Sequence, residues 1–195
     1  MAFLRPTSPL DSGPMVYGDD VTLRTPQMAD YQAWAELRAE SRVFLTPWEP
    51  TWSGDELTRA AFRRRLKHYA RDMREDHAYP FFIFRTGDDS MLGGVTLSNI
   101  RRGVAQSGAI GYWIGRPHAR SGKMTAALKA LIPFVFDTLG LHRVEAACLP
   151  HNAASIGLLT KCGFEREGYA RRYLRINGAW QDHVLFALLS EDAKR

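Results

Sequence analysis

The order in which strand-like and helix-like segments follow each other constrains this chain more than any other feature of its sequence. Runs rich in β-branched and aromatic residues predict strands, and apolar residues that recur every three or four positions predict helices. The predicted strands cover residues 21–24, 79–85, 91–100, 109–114, 142–149, 164–176 and 180–189. The predicted helices cover residues 28–40, 53–76, 121–138 and 152–163. This order predicts a mixed sheet with helices on its faces, an α+β fold of mixed α/β character.

Turn and linker signals set the predicted domain boundaries. Asn177-Gly178 lies between the last two predicted strands, and this dipeptide favours a tight antiparallel hairpin. Residues 1–19 are rich in Pro, Ser and Gly without a period, which predicts a loose arm. No linker divides residues 20–190, so we expect a single domain there and a short tail over 191–195.

Composition excludes several classes of protein. A content of 45% hydrophobic and 24% charged residues excludes wholesale disorder. Apolar runs such as Phe81–Phe84 are far shorter than the ~20 residues of a membrane span, so we expect no membrane contact. Two cysteines, Cys148 and Cys162, are too few for a disulfide framework, which favours the cytoplasm. The net charge of +5 favours anionic partners, either a polyphosphate cofactor or nucleic acid.

The segment Gly111–Met124 is the first that carries chemistry. A predicted strand ends there, a basic loop follows, and a helix begins near Ser121. Free N–H groups at a helix start bind anions, and Gly122 lets the backbone approach a phosphate closely. The segment matches neither a Walker loop nor a dinucleotide fingerprint. It therefore predicts a pyrophosphate cradle, with an ordinary strand-to-helix turn as the alternative.

A second segment, Leu149–Phe164, leads from a strand into a short helix that ends at Gly163-Phe164. On its own, Asn152 is a typical helix cap. Together the two segments resemble the GNAT superfamily of acetyl-CoA-dependent N-acyltransferases, whose Asn-x-x-Ser-x-x-Leu-Leu-x-x-x-Gly-Phe segment matches residues 152–164 without a gap. Residues 167–184 and the Phe44–Pro50 loop resemble the ribosomal-protein-alanine N-acetyltransferases of the RimJ type.

The resemblance implies a fold and a cosubstrate. The fold is a mostly antiparallel sheet of about seven strands, splayed between the fourth and fifth, with helices on both faces. Acetyl-CoA would bind in the splay, without a metal ion. The implied cofactor-binding residues are Tyr112, Trp113, Ile114, Arg120, Ser121, Gly122, Lys123, Met124, Thr125 and Asn152. The loop departs from the family pattern at Ala119, where Gln or Arg is usual, and at Met124, where a small residue is usual.

The resemblance also implies direct acetyl transfer from the thioester to an amine. Ser155 would protonate the leaving thiolate, although a serine in the first turn of a helix has ordinary structural roles. Glu145 is the candidate general base, with a strand glutamate paired to an arginine as the alternative. Cys148 and His151 have the spacing of half a zinc site, but no second pair completes it, so we expect no metal.

The acceptor is predicted to be a protein α-amine, with a ribosomal protein suggested by the family. Trp48 and Trp52 flank a Pro-rich loop and would cover a peptide N-terminus, or else anchor that loop in the core. The alternatives are a small-molecule amine, or a non-catalytic acyl-CoA- or RNA-associated module. A row of basic residues on the second helix indicates either a weak contact with ribosomal RNA or a solvated mixed face: Arg59, Arg63, Lys67 and Arg71.

Overall fold

The computed structural model describes residues 13–194, which form one eight-stranded sheet with helices on both faces. The strands are β1 Met15–Gly18, β2 Val21–Arg24, β3 Tyr79–Arg85, β4 Met91–Arg101, β5 Ser107–Ile114, β6 Arg143–Cys148, β7 Glu165–Ile176 and β8 Ala179–Leu189. The α-helices are α1 Tyr31–Glu40, α2 Arg42–Leu45, α3 Arg59–Arg74, α4 Lys123–Pro133 and α5 Ala153–Lys161. The mixed, mostly antiparallel architecture that the family resemblance implied is confirmed.

The sheet has the strand order β1-β2-β3-β4-β5-β6-β8-β7. Every neighbouring pair is antiparallel except β5 and β6, which run parallel. β7 and β8 form the predicted hairpin, and Asn177 and Gly178 both adopt positive φ at its turn.

The parallel pair leaves a gap in the sheet. Residues 107–109 of β5 pair with residues 143–145 of β6, and the two strands then separate. From Ile110 to Ile114, β5 is paired only with β4, so the edge facing β6 is open. This is the splay that the family resemblance implied.

Two predictions from the sequence differ from the structure. The arm over 1–19 contains β1, whose four residues pair with β2 and raise the strand number from seven to eight; residues 1–12 lie outside the described residues. The second helix begins at Arg59 and not at Ser53, because the hydroxyl of Thr58 accepts the N–H of Ala61 at 3.2 Å and caps it. The Ser53 hydroxyl instead donates to Asp55.

The helix after β5 changes its type at Pro133. The α-helical turns end at this residue, and Phe134–Thr138 continue as a π-helical turn, with the Leu139 N–H bonded to the Phe134 carbonyl. Proline has no N–H to donate to the preceding turn, so a change of helix type there is expected.

The two faces of the sheet carry separate apolar clusters. α4 and α5 cover one face with residues such as Leu128, Leu131 and Leu159, which are fully buried. α1 and α3 cover the other with Trp34 and Phe62. Within residues 13–194, no helix is both long and apolar enough to span a membrane. The division into arm, domain and tail stays a prediction.

Candidate active site

A cleft of about 960 Å³ opens where β5 and β6 separate. Its walls come from the loop before α3, the free end of β5, the start of α4, the end of β6, the start of α5 and the β7–β8 hairpin. The cleft therefore brings together segments from both halves of the sequence.

One end of the cleft is the start of α4. Gly122 is its N-cap in the left-handed conformation (φ 79°), and no side chain caps the helix. The first helical hydrogen bond runs from the Ala126 N–H to the Gly122 carbonyl, so the three N–H groups before Ala126 have no acceptor within the helix. The first turn holds no acidic residue. These features favour an anion at this helix start.

Positive charge surrounds the same helix start. Arg116, Arg120, Lys123 and Lys161 all line the cleft. Lys123 forms an ion pair with Asp20 in the turn between β1 and β2. Burial, followed by the nearby Arg85, lowers the pKa of His118, so this imidazole is neutral at pH 7.

The helix start has room for a diphosphate. A Cβ placed on Gly122 would meet no atom within 4 Å, so the space in front of it is open. Ala119 and Met124, the two departures from the family loop, both line the cleft, and neither closes this space. The residues present therefore fit the pyrophosphate of coenzyme A, which backbone N–H groups and flanking arginines would hold.

Tyr112 and Ser155 form a hydrogen-bonded pair in the middle of the cleft, with their hydroxyl oxygens 2.7 Å apart. Burial raises the pKa of the Tyr112 hydroxyl well above its ordinary value, so the phenol keeps its proton. The Asn152 side chain accepts the Ser155 N–H at 3.1 Å, which confirms Asn152 as the cap of α5. Burial also raises the pKa of Cys148, so it remains a thiol beside Ser155.

The alternation of side chains along β5 gives the cleft two different sides. Tyr112 packs with the cluster under α4 and α5, whereas Trp113 packs with the cluster under α1 and α3. The Tyr112–Ser155 pair therefore lies on one face of the sheet. The gap between β5 and β6 connects this face to the other.

Glu145 does not line the cleft, so the expectation that its carboxylate faces the substrate is wrong. Its carboxylate accepts from Arg143 at 2.9 Å and from Arg101 at 3.2 Å. Glu145 lies opposite Ala109 in the short paired part of β6, before the gap opens. Ala147, two residues later on the same face, does line the cleft.

The two tryptophans of the Pro-rich loop have different positions. Trp48 lines the cleft and contacts the His151 ring, with centroids 5.5 Å apart. Trp52 lies outside the cleft, so its predicted contact with substrate is wrong. It lies over the guanidinium of Arg38 at 4.2 Å and donates its N–H to Glu49 at 2.8 Å. Trp52 therefore supports the loop from behind.

Glu49 is a cleft residue that the sequence interpretation missed. It is the one carboxylate among the described residues that line the cleft. Both of its oxygens accept hydrogen bonds from the buried Arg38, each at 2.7 Å, and Arg38 lies between the rings of Trp52 and Trp113. The Glu49 carbonyl accepts the N–H of Asn177, which joins this loop to the β7–β8 hairpin. The sequence signal that could have indicated Glu49 is its place between Trp48 and Pro50.

His183 is the second missed residue. It is buried, lines the cleft, and lies beside Asp182 in β8. The predicted cofactor residues Tyr112 to Ile114, Arg120 to Thr125 and Asn152 all line the same cleft, as does Ser155. The structure thus brings together the predicted residues except Glu145 and Trp52.

Comparisons with known proteins give a consistent relationship. A family model described as "Acetyltransferase (GNAT) domain" matches residues 20–165. The chain is 38% identical over 165 residues to the [ribosomal protein uS5]-alanine N-acetyltransferase of Escherichia coli (strain K12), covering 84% of this chain and 85% of that protein. It is 35% identical over 178 residues to the probable N-acetyltransferase YjcK of Bacillus subtilis (strain 168), covering 91% of this chain and 98% of that protein.

The solved structures include a similar one with a bound ligand. Mycobacterium smegmatis RimJ in complex with CoA-disulfide superposes with a TM-score of 0.86 at 31% sequence identity, covering 95% of this chain and 90% of that chain. Sequence and fold comparisons therefore point to the same group of proteins.

Proposed function

Because the chain belongs to the GNAT family and is an acetyl-CoA-dependent N-acetyltransferase, its open question is the acceptor, and we propose that this is the N-terminal α-amine of a protein. A ribosomal protein is the proposed acceptor class, since the Escherichia coli relative acts on ribosomal protein uS5. The observation that carries the proposal is Glu49, a carboxylate that Arg38 holds in place in the cleft. We call the wall formed by the loop before α3 and the β7–β8 hairpin the acceptor side of the cleft. Such a carboxylate attracts an ammonium group.

The chain's own groups would orient the cosubstrate along the cleft. The N–H groups of residues 123–125 hold the diphosphate, and Asn152 lies beside the path toward the gap. The open edge of β5 from Tyr112 to Ile114 offers backbone N–H and C=O groups to an extended amide arm. When bound, acetyl-CoA supplies an activated thioester carbonyl at the gap, and a backbone N–H of β5 would stabilise charge on its oxygen.

Protonation of the leaving sulfur is assigned to Ser155. Its hydroxyl lies 2.7 Å from that of Tyr112, which stays protonated because burial raises its pKa. Tyr112 can therefore donate to Ser155 while Ser155 donates to the thiolate. Trp48 covers the acceptor side, and Glu49 receives the amine.

The chemistry of the acceptor also favours an α-amine over a lysine side chain. Only the neutral amine attacks, and with a pKa of ~7.7–8.0 about a tenth of an α-amine is neutral at pH 7. A lysine amine, with a pKa of ~10.4, is neutral to less than roughly 0.1%. A cleft without a strongly basic carboxylate dyad therefore suits the N-terminal acceptor.

Acetyl-CoA turnover against a panel of N-terminal peptides and small amines tests the proposal. We expect thiol release that depends on a peptide with a free α-amine and stops when that amine is blocked. If the enzyme prefers a small amine such as a polyamine, its acceptor is a small molecule and not a protein. If coenzyme A binds but no amine accelerates thiol release, the chain is a binding module and the proposal fails.

A contact with ribosomal RNA is part of the same proposal. On α3, one member of the basic row has a carboxylate nearby, since Arg71 lies near Asp72; the adjacent Arg64 and Arg65 pair with Asp55 and Glu56. On the exposed edge strand β7, four arginines have no carboxylate at ion-pair distance among the described residues: Arg166, Arg171, Arg172 and Arg175. β7 therefore offers a second exposed basic surface to a polyanion. Salt-dependent binding of RNA, weakened by Arg171→Gln, would support this contact.

The proposed compartment is the cytoplasm. Cys148 and Cys162 are both free thiols, which a reducing compartment preserves. Localisation of a fluorescent fusion tests this part.

A further inference from the structure

The transfer reaction requires a group that removes a proton from the acceptor nitrogen. Forming the C–N bond and breaking the C–S bond moves one proton from nitrogen to sulfur. Ser155 supplies the proton to sulfur, but Glu145, the predicted base, lies outside the cleft. The residue that accepts the proton from nitrogen must line the cleft on its acceptor side.

Few cleft residues are suited to this role. Glu49 is already bonded to both terminal nitrogens of Arg38 and to Trp52, so it is a held anion that binds the amine. His118 lies in the turn before α4, at the diphosphate end. Among the described residues that line the cleft, His183 is the remaining imidazole.

The hydrogen bond of His183 fixes its tautomer. Nδ1 lies 3.0 Å from the Gln181 carbonyl oxygen, and a carbonyl can only accept. In the neutral ring Nδ1 therefore carries the proton, and the lone pair is on Nε2. Among residues 13–194, no hydrogen-bond partner occupies Nε2. The ring is held further by an edge contact with Tyr173, with centroids 5.8 Å apart.

The position of His183 in β8 places its side chain on the face of the sheet that α1 and α3 cover. The next residue, Val184, packs in the cluster under α4 and α5 and pairs with Cys148 at the end of β6. Because side chains alternate along a strand, His183 lies on the opposite face, at the point where β6 ends and the gap is open. The Tyr112–Ser155 pair and His183 thus line the same cleft from opposite faces of the sheet.

We infer that His183 is the general base of the reaction, a role that rests on the proposed function. Nε2 accepts the proton from the acceptor amine as the C–N bond forms. Sulfur takes a proton from Ser155 as the C–S bond breaks. The imidazolium then gives its proton to water and Ser155 regains one from water, so the balance is one proton moved from nitrogen to sulfur.

The charged and titratable groups nearest to this imidazole in the cleft and along the hairpin are few. They are Glu49 from the loop before α3, which lines the same cleft, Tyr173 from β7, whose ring contacts the imidazole, and Asp182, the preceding residue of β8. Asp182 is committed to the Tyr169 hydroxyl and the Arg172 N–H. Glu49 is therefore the charged group that shares the acceptor side with His183.

The test uses His183→Gln, which keeps a side-chain N–H for the Gln181 carbonyl but has no basic nitrogen. At pH 7 we expect kcat with an N-terminal peptide to fall about 100-fold, with the KM for acetyl-CoA unchanged. At pH 9.5 hydroxide can take up the proton from the acceptor nitrogen in place of Nε2, so the deficit should shrink to a few-fold. His142→Gln, an exposed histidine outside the cleft, is the matched control and should match the wild type.

Two further measurements separate base catalysis from a structural role. Nitrogen NMR of the ligand-free protein should show His183 with its proton on Nδ1 and an unprotonated Nε2. Imidazole added to His183→Ala should restore part of kcat. An equal deficit of His183→Gln at both pH values, or no deficit, would overturn the inference while leaving the proposed function intact. Absence of amine-dependent turnover in the wild type would instead refute the proposed function.

Discussion

The two ends of the cleft are built in different ways. The diphosphate end comes from one continuous stretch, in which β5, its turn and the start of α4 follow each other in sequence. The acceptor end is assembled from Glu49, Leu174 and His183, which lie on separate elements and meet only when the hairpin contacts the loop before α3. A continuous site is visible as a motif, whereas an assembled site depends on tertiary contacts that no local pattern records.

The largest effect should come from Gly122→Trp at the diphosphate end. The new ring would fill the space before the helix start and force an unfavourable φ of 79°, so we expect coenzyme A affinity to fall about 1,000-fold, or ~4 kcal/mol. Calorimetric titration measures it. Gly87→Trp has a similar positive φ and open space but lies outside the cleft, so it should bind normally. Normal binding by Gly122→Trp would place the diphosphate elsewhere.

Removing Arg38 should damage the acceptor end alone. Arg38→Met leaves Glu49 without its partner, so we expect the free energy of unfolding to drop by about 3 kcal/mol and the KM for the peptide to rise, with coenzyme A affinity unchanged. Denaturant unfolding and steady-state kinetics measure these changes. Arg42→Met is the control, because Arg42 is exposed and has no carboxylate partner among the described residues. A parallel loss of coenzyme A affinity would show that the two ends are coupled.

Ser155→Ala tests the middle of the cleft, where the two ends meet. We expect kcat to fall about 100-fold through loss of the proton donor. The fold should be unaffected, because Asn152 caps α5 through the backbone N–H of Ser155. Thr160→Ala, which removes another hydroxyl of α5 that bonds only within the helix, should keep full activity. Unchanged kcat in Ser155→Ala would shift the acid role to Tyr112.

Substitutions of Asn152 should have the smallest effect, and they distinguish helix capping from contact with the cofactor. Asn152→Ala loses the cap and should lower the free energy of unfolding by about 1 kcal/mol. Asn152→Ser restores a capping oxygen, so we expect it to recover stability but not coenzyme A affinity. Recovery of both would mean that Asn152 is a cap only.

Sequence reasoning reached the fold and the diphosphate end because their signals are local. Gly122, the basic loop and the match over 152–164 are each contained in a few consecutive residues. Glu145 shows the limit. The alternation of side chains along a strand correctly places Glu145 on the same face as Ala147. Only the strand register, in which Glu145 lies opposite Ala109, shows that this residue is in the paired part of β6 and away from the gap.

The remaining errors have similar physical causes. β1 is a four-residue edge strand that is recognised in the structure by its pairing with β2. Four residues are too few to show the alternation of apolar and polar residues by which a strand is predicted from sequence. A helix start at Ser53 is suggested by the capping-box spacing of Ser53 and Glu56, but in the structure Glu56 bonds to Arg65. Trp52 was placed correctly beside the acceptor loop, yet its ring lies over Arg38 and not over the cleft.

The three residue pairs between β5 and β6 are a narrow seam in the sheet. Five strands lie on one side of it and three on the other, and the chain crosses between them through α4 and the turn at Gly140. If the backbone were cleaved at that turn, the two fragments would hold together chiefly through helix packing and not through strand hydrogen bonds. A cosubstrate bound in the gap beyond these pairs would contact both fragments, so coenzyme A should promote reassembly of the severed halves.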